Sequence, residues 1–259
     1  QDLDEHLIEA FRTVLSDATL DPAFKELVFT LPAEAYLYEL VDTIEPTRIH
    51  HHRRQVRSQL ARALESHWVS TYTQLHHEGP YKPDAISSGR RALKNLALFA
   101  LFDAQNTQAE SFALSQYQQA NNMTDRYGAL HAMVNFNSTH AYECLADFHN
   151  RFANDALVID KWFTLQATRQ ADTTGKQPVM SDILFLRRHP DFNIKNPNRA
   201  RSLIHAFCMN NPGAFHQADS GSYRFWAEQV IELDQINPQV AARLARGLDR
   251  WKHFEPNLR

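Results

Sequence analysis

The sequence predicts an all-α chain: stacked antiparallel helix pairs forming an armadillo/HEAT-like superhelix. Three observations carry this. Glycine is scarce, 7 in 259 residues, which is under half of the usual share of roughly 7%; sheet-rich folds use glycine freely in hairpins, bulges and phosphate loops. Apolar residues recur at helical spacing almost from end to end. The starts of the expected helices repeat at intervals of about 40 residues, the period of two-helix solenoid units.

Each element has a local reason. Leu3, Leu7, Ile8, Phe11, Val14 and Leu15 share one face of a first helix. Asp21-Pro22 opens a second, since Asp accepts from unpaired first-turn N–H groups and the fixed φ of Pro suits the first helical position. After Glu45-Pro46-Thr47, the residues Ile49, Val56, Leu60, Leu64, Trp68, Tyr72 and Leu75 form one stripe. That stripe predicts a single helix of about 28 residues, about 42 Å long, ended by Gly79-Pro80. Further starts are expected at Asp84, Thr107, Thr124, Ser138, Asp155, Gln177, Asn196, Ser220 and Asn237, most of them small polar caps before an apolar run.

The spacing of these starts is regular. Asp155, Asn196 and Asn237 are 41 residues apart, and Ser138, Gln177 and Ser220 are 39 and 43 apart. Asn196-Pro197 and Asn237-Pro238 even share an opening. With only the short Gln170-to-Lys176 loop resembling a linker, residues 1–259 are expected to form a single α-superhelical domain.

Composition narrows the function. At 43% hydrophobic and 22% charged, the chain is neither disordered nor low in complexity. Its 27 Lys and Arg against 30 Asp and Glu leave a net charge of −3, which lacks the positive field that phosphate backbones require and argues against nucleic acid. No apolar run of about 18 residues exists, so no membrane span is expected. Gln1-Asp2-Leu3-Asp4-Glu5 is neither a signal peptide nor a start methionine, so the expectation is a soluble piece of a longer chain. Cys144 and Cys208 lie singly in helical stretches and read as small buried hydrophobes, in keeping with a reducing compartment.

Catalytic constellations are weak. Among the 14 histidines, His50, His51 and His52 are consecutive; helical neighbours point about 100° apart, so the three cannot converge on one ion and read as a solvated face with Arg53 and Arg54. The H-E-x-x-H signature is absent: His77-Glu78 is followed by Gly79-Pro80, with Tyr81 where a second histidine would stand. His131, His140, His149, His205 and His216 are scattered and read as core or groove residues. There is no G-x-S-x-G elbow and no glycine-rich phosphate loop. No catalytic and no metal-ligating residue is therefore assigned. Basic groups near helix starts remain. Gln239 and Arg243 are four apart after Asn237-Pro238, and Arg199 and Arg201 follow Asn196-Pro197. Such places suit carboxylates, either a ligand's or those of neighbouring helices.

Several segments are familiar in series. Ala120-Asn121-Asn122-Met123-Thr124-Asp125, Asp160-Lys161-Trp162-Phe163 with Gln166-Ala167-Thr168, NPNRARSLI (196–204) and NPQVAARL (237–244) resemble the C-terminal domain of the bacterial aminopeptidase N family. Leu20-Asp21-Pro22-Ala23, continuing to Thr30-Leu31-Pro32, resembles the same domain nearer its start. The resemblance runs from the first helix to about Arg250. It implies a truncated C-terminal portion of a cytoplasmic, monomeric zinc metallo-aminopeptidase (gluzincin, alanyl aminopeptidase type) that releases N-terminal amino acids from peptides. In that family the zinc, its ligands, the glutamate base and the G-x-M-x-N motif lie upstream; Gly128-Ala129-Leu130-His131-Ala132 is not that motif. The resemblance further implies that the superhelix caps the parent's catalytic domain, binds no cofactor and has no activity of its own. Arg201, Gln239 and Arg243 match positions that face the substrate cavity and contact a peptide's C-terminal side. The family's domain also extends beyond both ends of this chain, so apolar faces exposed there could drive oligomerisation of the isolated piece. A second reading is a freestanding armadillo/HEAT-like scaffold holding a protein segment in its groove. A third, an independent zinc enzyme built from scattered histidines, would require stoichiometric zinc.

Overall fold

The computed structural model describes residues 2–76, 79–170 and 179–259. Helix follows helix throughout them, and the all-α expectation is borne out. No strand forms among the described residues; an isolated parallel bridge pairs Ile44 with Phe254. No helix among them is long and apolar enough to cross a membrane. The expected start at Gln177, most of the Gln170-to-Lys176 loop and the His77-Glu78 pair lie outside the described residues.

Two compact units arise, Gln1–Pro32 with His52–Cys144 and Ala33–His51 with Leu145–Arg259. The first holds α1 (Glu5–Ser16), α2 (Pro22–Val28), α5 (Glu65–Leu75), α6 (Ala85–Asp103), α7 (Ala109–Gln119) and α8 (Met123–Asn135). The second holds α3 (Glu34–Leu37), α10 (Ala156–Ala167), α11 (Val179–Leu186), α12 (Pro197–Ala200), α13 (Ala206–Asn210), α14 (Pro212–Phe215), α15 (Gly221–Asp234) and α16 (Pro238–Ala245). The chain passes between units three times, at Pro32–Ala33 and within α4 (Pro46–Ala63) and α9 (Ala141–Arg151).

The first unit shows why the helices start where they do. Asp4, Asp21 and Asp84 sit in extended conformation, and their carboxylates accept from the N–H groups of His6, of Ala23 and Phe24, and of Ser87. Leu98, Leu101 and Ala97 of α6 are fully buried. Polar ties connect elements one repeat apart: the Tyr72 hydroxyl donates to the Phe112 carbonyl (3.1 Å) and Asn106 Nδ2 to Glu65 Oε1 (2.6 Å), across 40 and 41 residues. The second unit repeats this. Asn211 Nδ2 donates to the Ala167 carbonyl across 44 residues, and Arg187 to Glu232 across 45. Contacts that recur at this separation are what a stack of two-helix units of about 40 residues must make.

Three expectations need correction. The stripe from Ile49 to Leu75 does not form one helix: Leu64 leaves helical geometry (φ −113°, ψ 19°) between α4 and α5. Leu64 is wholly buried and Glu65 is held by Asn106, so tertiary contacts override an uninterrupted local pattern. His50 is not on a solvated face, because its Nδ1 lies 2.8 Å from Glu34 Oε1 and its ring packs against Gly213. Only His51 and His52 of that run are exposed. Third, α7, α8 and α9 begin two residues after Thr107, one before Thr124 and three after Ser138. Cys144 and Cys208 are buried and unbridged, as expected, and burial pushes the Cys208 thiol up from its ordinary pKa.

Candidate functional site

The site grows from two capped helix starts in the second unit. Asn196 is extended, and its side-chain oxygen accepts from the N–H groups of Asn198 (3.0 Å) and Arg199 (3.4 Å), with Pro197 in the first turn. The helix then widens into a π-helical segment, Arg201–His205, before resuming as α13. Such segments are rare and cluster at functional sites. Asn237 repeats the device, accepting from Val240 N–H (3.2 Å) ahead of α16. Val240, Ala241 and Leu244 bury the inner face of α16, which leaves Gln239 and Arg243 on its outer face.

Between these starts lies a cavity of about 160 Å³. Leu233, Val240 and Leu244 supply its buried apolar floor; Arg201, His205 and Arg243 supply its polar rim. His205 and Arg243 also line a wider cleft of about 710 Å³ that includes Arg246 and Arg250.

The charges around these spaces are unequal. In the wider cleft, Arg246 pairs with Asp249 (3.2 Å) and Arg250 with Glu39 (2.7 Å). Arg199, two residues before Arg201, is buried and paired with Asp160 (2.6 Å), so for it the neighbouring-helix alternative holds. Arg201 and Arg243 form no ion pair among the described residues; Arg201 donates only to Asn198 Oδ1 (3.3 Å). Burial, and then the positive charges of Arg201 and Arg243, hold His205 below the ordinary histidine pKa. Two unneutralised guanidiniums beside a neutral imidazole make the rim suited to an anionic group such as a carboxylate.

The structure therefore brings together two of the three residues singled out from sequence. Gln239 is exposed on the face it shares with Arg243 but lines neither cavity. His205 belongs at the rim, and its place four residues after Arg201 was the signal for it.

A second grouping joins residues that look scattered in sequence. His149, His189 and Asp191 each offer one ligand atom, mutually within 4.8 Å. They do not fit the zinc of an H-E-x-x-H enzyme, because Asn150 follows His149 and no glutamate base stands in the motif position.

Comparisons with known proteins agree with the architecture. The profile of the family described as "Domain of unknown function (DUF3458_C) ARM repeats" matches residues 1–259. Aminopeptidase N of Caulobacter vibrioides is 33% identical over 98% of this chain, and aminopeptidase N of Escherichia coli 35% identical over 96%. The chain spans 29% and 28% of the length of these relatives. The crystal structure of Legionella pneumophila aminopeptidase A in complex with aspartic acid superposes with a TM-score of 0.84 and 25% identity, covering 99% of this chain and 30% of that one. The ARM-repeat architecture and the resemblance to aminopeptidase N are borne out.

Proposed function

The chain belongs to the ARM-repeat domain family DUF3458_C, and from that membership we propose that it is the C-terminal part of an aminopeptidase N, lining the cavity through which peptides reach the catalytic domain. Both compact units would belong to that one superhelical domain. The parent would be a monomeric, cytoplasmic zinc metallopeptidase acting on peptides. Its zinc, its base and the groups that hold the substrate's amino terminus lie outside this chain, which on its own would be inactive. No catalytic step is assigned to these residues.

The role we assign is positioning. Arg201 and Arg243 receive the carboxylate at the C-terminal end of a short peptide, and Gln239, on the outer face of the same helix as Arg243, contacts the adjoining backbone. One observation supports this above others: both arginines edge the same cavity, over an apolar floor, and neither forms an ion pair among the described residues.

The test is Arg243→Ala in the intact parent enzyme. An exposed charge-assisted contact contributes about 1–1.5 kcal/mol, about 5–10-fold in affinity. KM for tripeptides should rise by that factor while kcat falls less. Peptides amidated at the C-terminus should not distinguish the variant from the parent. An equal fall in kcat and kcat/KM with unchanged KM, or the same loss on amidated peptides, would contradict the assignment.

A further inference from the structure

His149 sits in the last turn of α9, while His189 and Asp191 lie in the segment between α11 and the Asn196 cap. Though some 40 residues apart in the chain, they converge. His149 Nε2 is 2.6 Å from Asp191 Oδ2, and that oxygen is 3.7 Å from His189 Nδ1. The two imidazole centroids are 5.3 Å apart. Their side chains are 22% and 20% exposed and that of Asp191 is 41% exposed, so an ion and its waters can enter.

We propose that His149, His189 and Asp191 form a site for a divalent transition-metal ion of the zinc class, with three protein ligands and water completing the shell. Metal–ligand distances of about 2.0–2.2 Å place tetrahedral ligand atoms about 3.3–3.6 Å from one another. The observed separations, from 2.6 Å to within 4.8 Å, bracket that value, so side-chain rotation is enough to seat the ion. Two imidazoles and one carboxylate suit zinc, copper or nickel. They are a poor set for calcium or magnesium, which take oxygen shells of six or more.

The surroundings favour the assignment. The nearby Arg199 guanidinium is committed to Asp160 Oδ1 (2.6 Å) and to the Asp191 carbonyl, which also fixes the backbone beneath the third ligand. Binding through His189 Nδ1 gives up only a long bond from the Asp191 N–H (3.2 Å). A bound ion would add to the His149–Asp191 bond and the His149–His189 ring contact that already connect the end of α9 to the segment after α11.

Trp162 provides the readout, its ring lying 5.0 Å from His149 and 5.2 Å from His189. The tag-free 259-residue chain, freed of metal, is titrated with Zn²⁺ by calorimetry and with Cu²⁺ by tryptophan fluorescence. One Zn²⁺ per chain at micromolar affinity is expected, with Cu²⁺ quenching that is lost in Trp162→Phe. His149→Ala, His189→Ala and the shape-preserving Asp191→Asn should each weaken Zn²⁺ binding at least tenfold while the helical circular dichroism is unchanged. His51→Ala with His52→Ala should change nothing. Binding that survives the first three variants, or that disappears with His51 and His52, would make the ion an adventitious surface chelate and overturn the proposal. Absence of binding below millimolar Zn²⁺ would overturn it too, leaving only a His149–Asp191 hydrogen bond.

Discussion

Arg199 gives the sharpest prediction about what holds the second unit together. Its guanidinium donates to Asp160 Oδ1 at 2.6 Å, to the Asp191 carbonyl and, at 3.4 Å, to the Ala156 carbonyl; it also lies 4.9 Å from the centre of the Phe163 ring. The Arg199 and Asp160 side chains are only 7% and 14% exposed. Replacing Arg199 by Ala removes one partner and leaves the Asp160 carboxylate buried without its cation. That situation costs about 3–5 kcal/mol. With a urea dependence of about 2 kcal/mol per molar, the unfolding midpoint should fall by about 1.5–2.5 M.

Two companions separate the mechanism from general damage. Arg199→Lys keeps the charge but loses the planar fork, so it should fall between wild type and Ala. Arg199→Met with Asp160→Leu removes both charges and fills the space, so it should be less destabilised than Arg199→Ala alone. The assay is urea unfolding followed by far-ultraviolet circular dichroism. A loss below about 1 kcal/mol for Arg199→Ala, or strict additivity of the Arg199 and Asp160 substitutions, would refute the account, because a buried coupled pair must show interaction energy.

His216 gives a pH dependence. Burial pushes its pKa from 6.5 down to about 4, and its Nδ1 lies 2.7 Å from the Tyr223 hydroxyl. The unfolded state therefore binds the proton more readily, and the contribution is fully present above about pH 6.5 and is lost as pH falls through about 4. A shift of this size is worth about 3 kcal/mol. His216→Gln should flatten the fall in stability between pH 6.5 and 4.5 in a urea-midpoint series; an unchanged slope would exclude His216 as the source. Gly213→Ala would place a Cβ 2.5 Å from His50 Cδ2 and 2.6 Å from His50 Nε2, against a ring held by Glu34 at 2.8 Å. Overpacking of this kind costs about 1–3 kcal/mol. Adding His50→Ala should relieve it, and a double-mutant cycle without coupling would show that the clash is not with His50.

Helix starts with Asp or Asn immediately before an apolar run were legible in the sequence. Asp155, Asn196 and Asn237 all cap helices with their own oxygens, and the 41-residue spacing is real. Around Thr124 the choice was ambiguous, since Asn121, Asn122 and Thr124 can all accept, and Asn122 takes the cap by accepting from Asp125 N–H at 2.9 Å. Before α7 no side chain caps the helix; Asn106 instead closes a turn one residue earlier, accepting from the N–H of Gln108, the N-cap residue. Ser138 is drawn into a tight turn, where it accepts from His140 N–H and donates to Glu110. Pairings across a repeat have no local signature at all. Nothing in the neighbourhood of His149 announces Asp191, because the register between successive helix pairs decides which side chains 40 residues apart come face to face.

The candidate site shows a subtler limit. Arg199 and Arg201 lie two positions apart, about 200° around a helix, so they must point to opposite faces. Leu203 and Ala206, four and seven residues beyond Arg199, are buried, whereas His205, four beyond Arg201, is half-buried at the rim. The face of Arg199 is therefore the inward one, and a buried guanidinium has to find a carboxylate, which Asp160 provides. On the opposite face no such demand operates, and the charge of Arg201 remains available. Net charge carries no information on this division: a total of −3 argues against polyanions as partners, yet it is compatible with two uncompensated guanidiniums over an apolar floor. The proposed carboxylate role rests on that local arrangement, two cations beside about 160 Å³ of space, and not on the total charge.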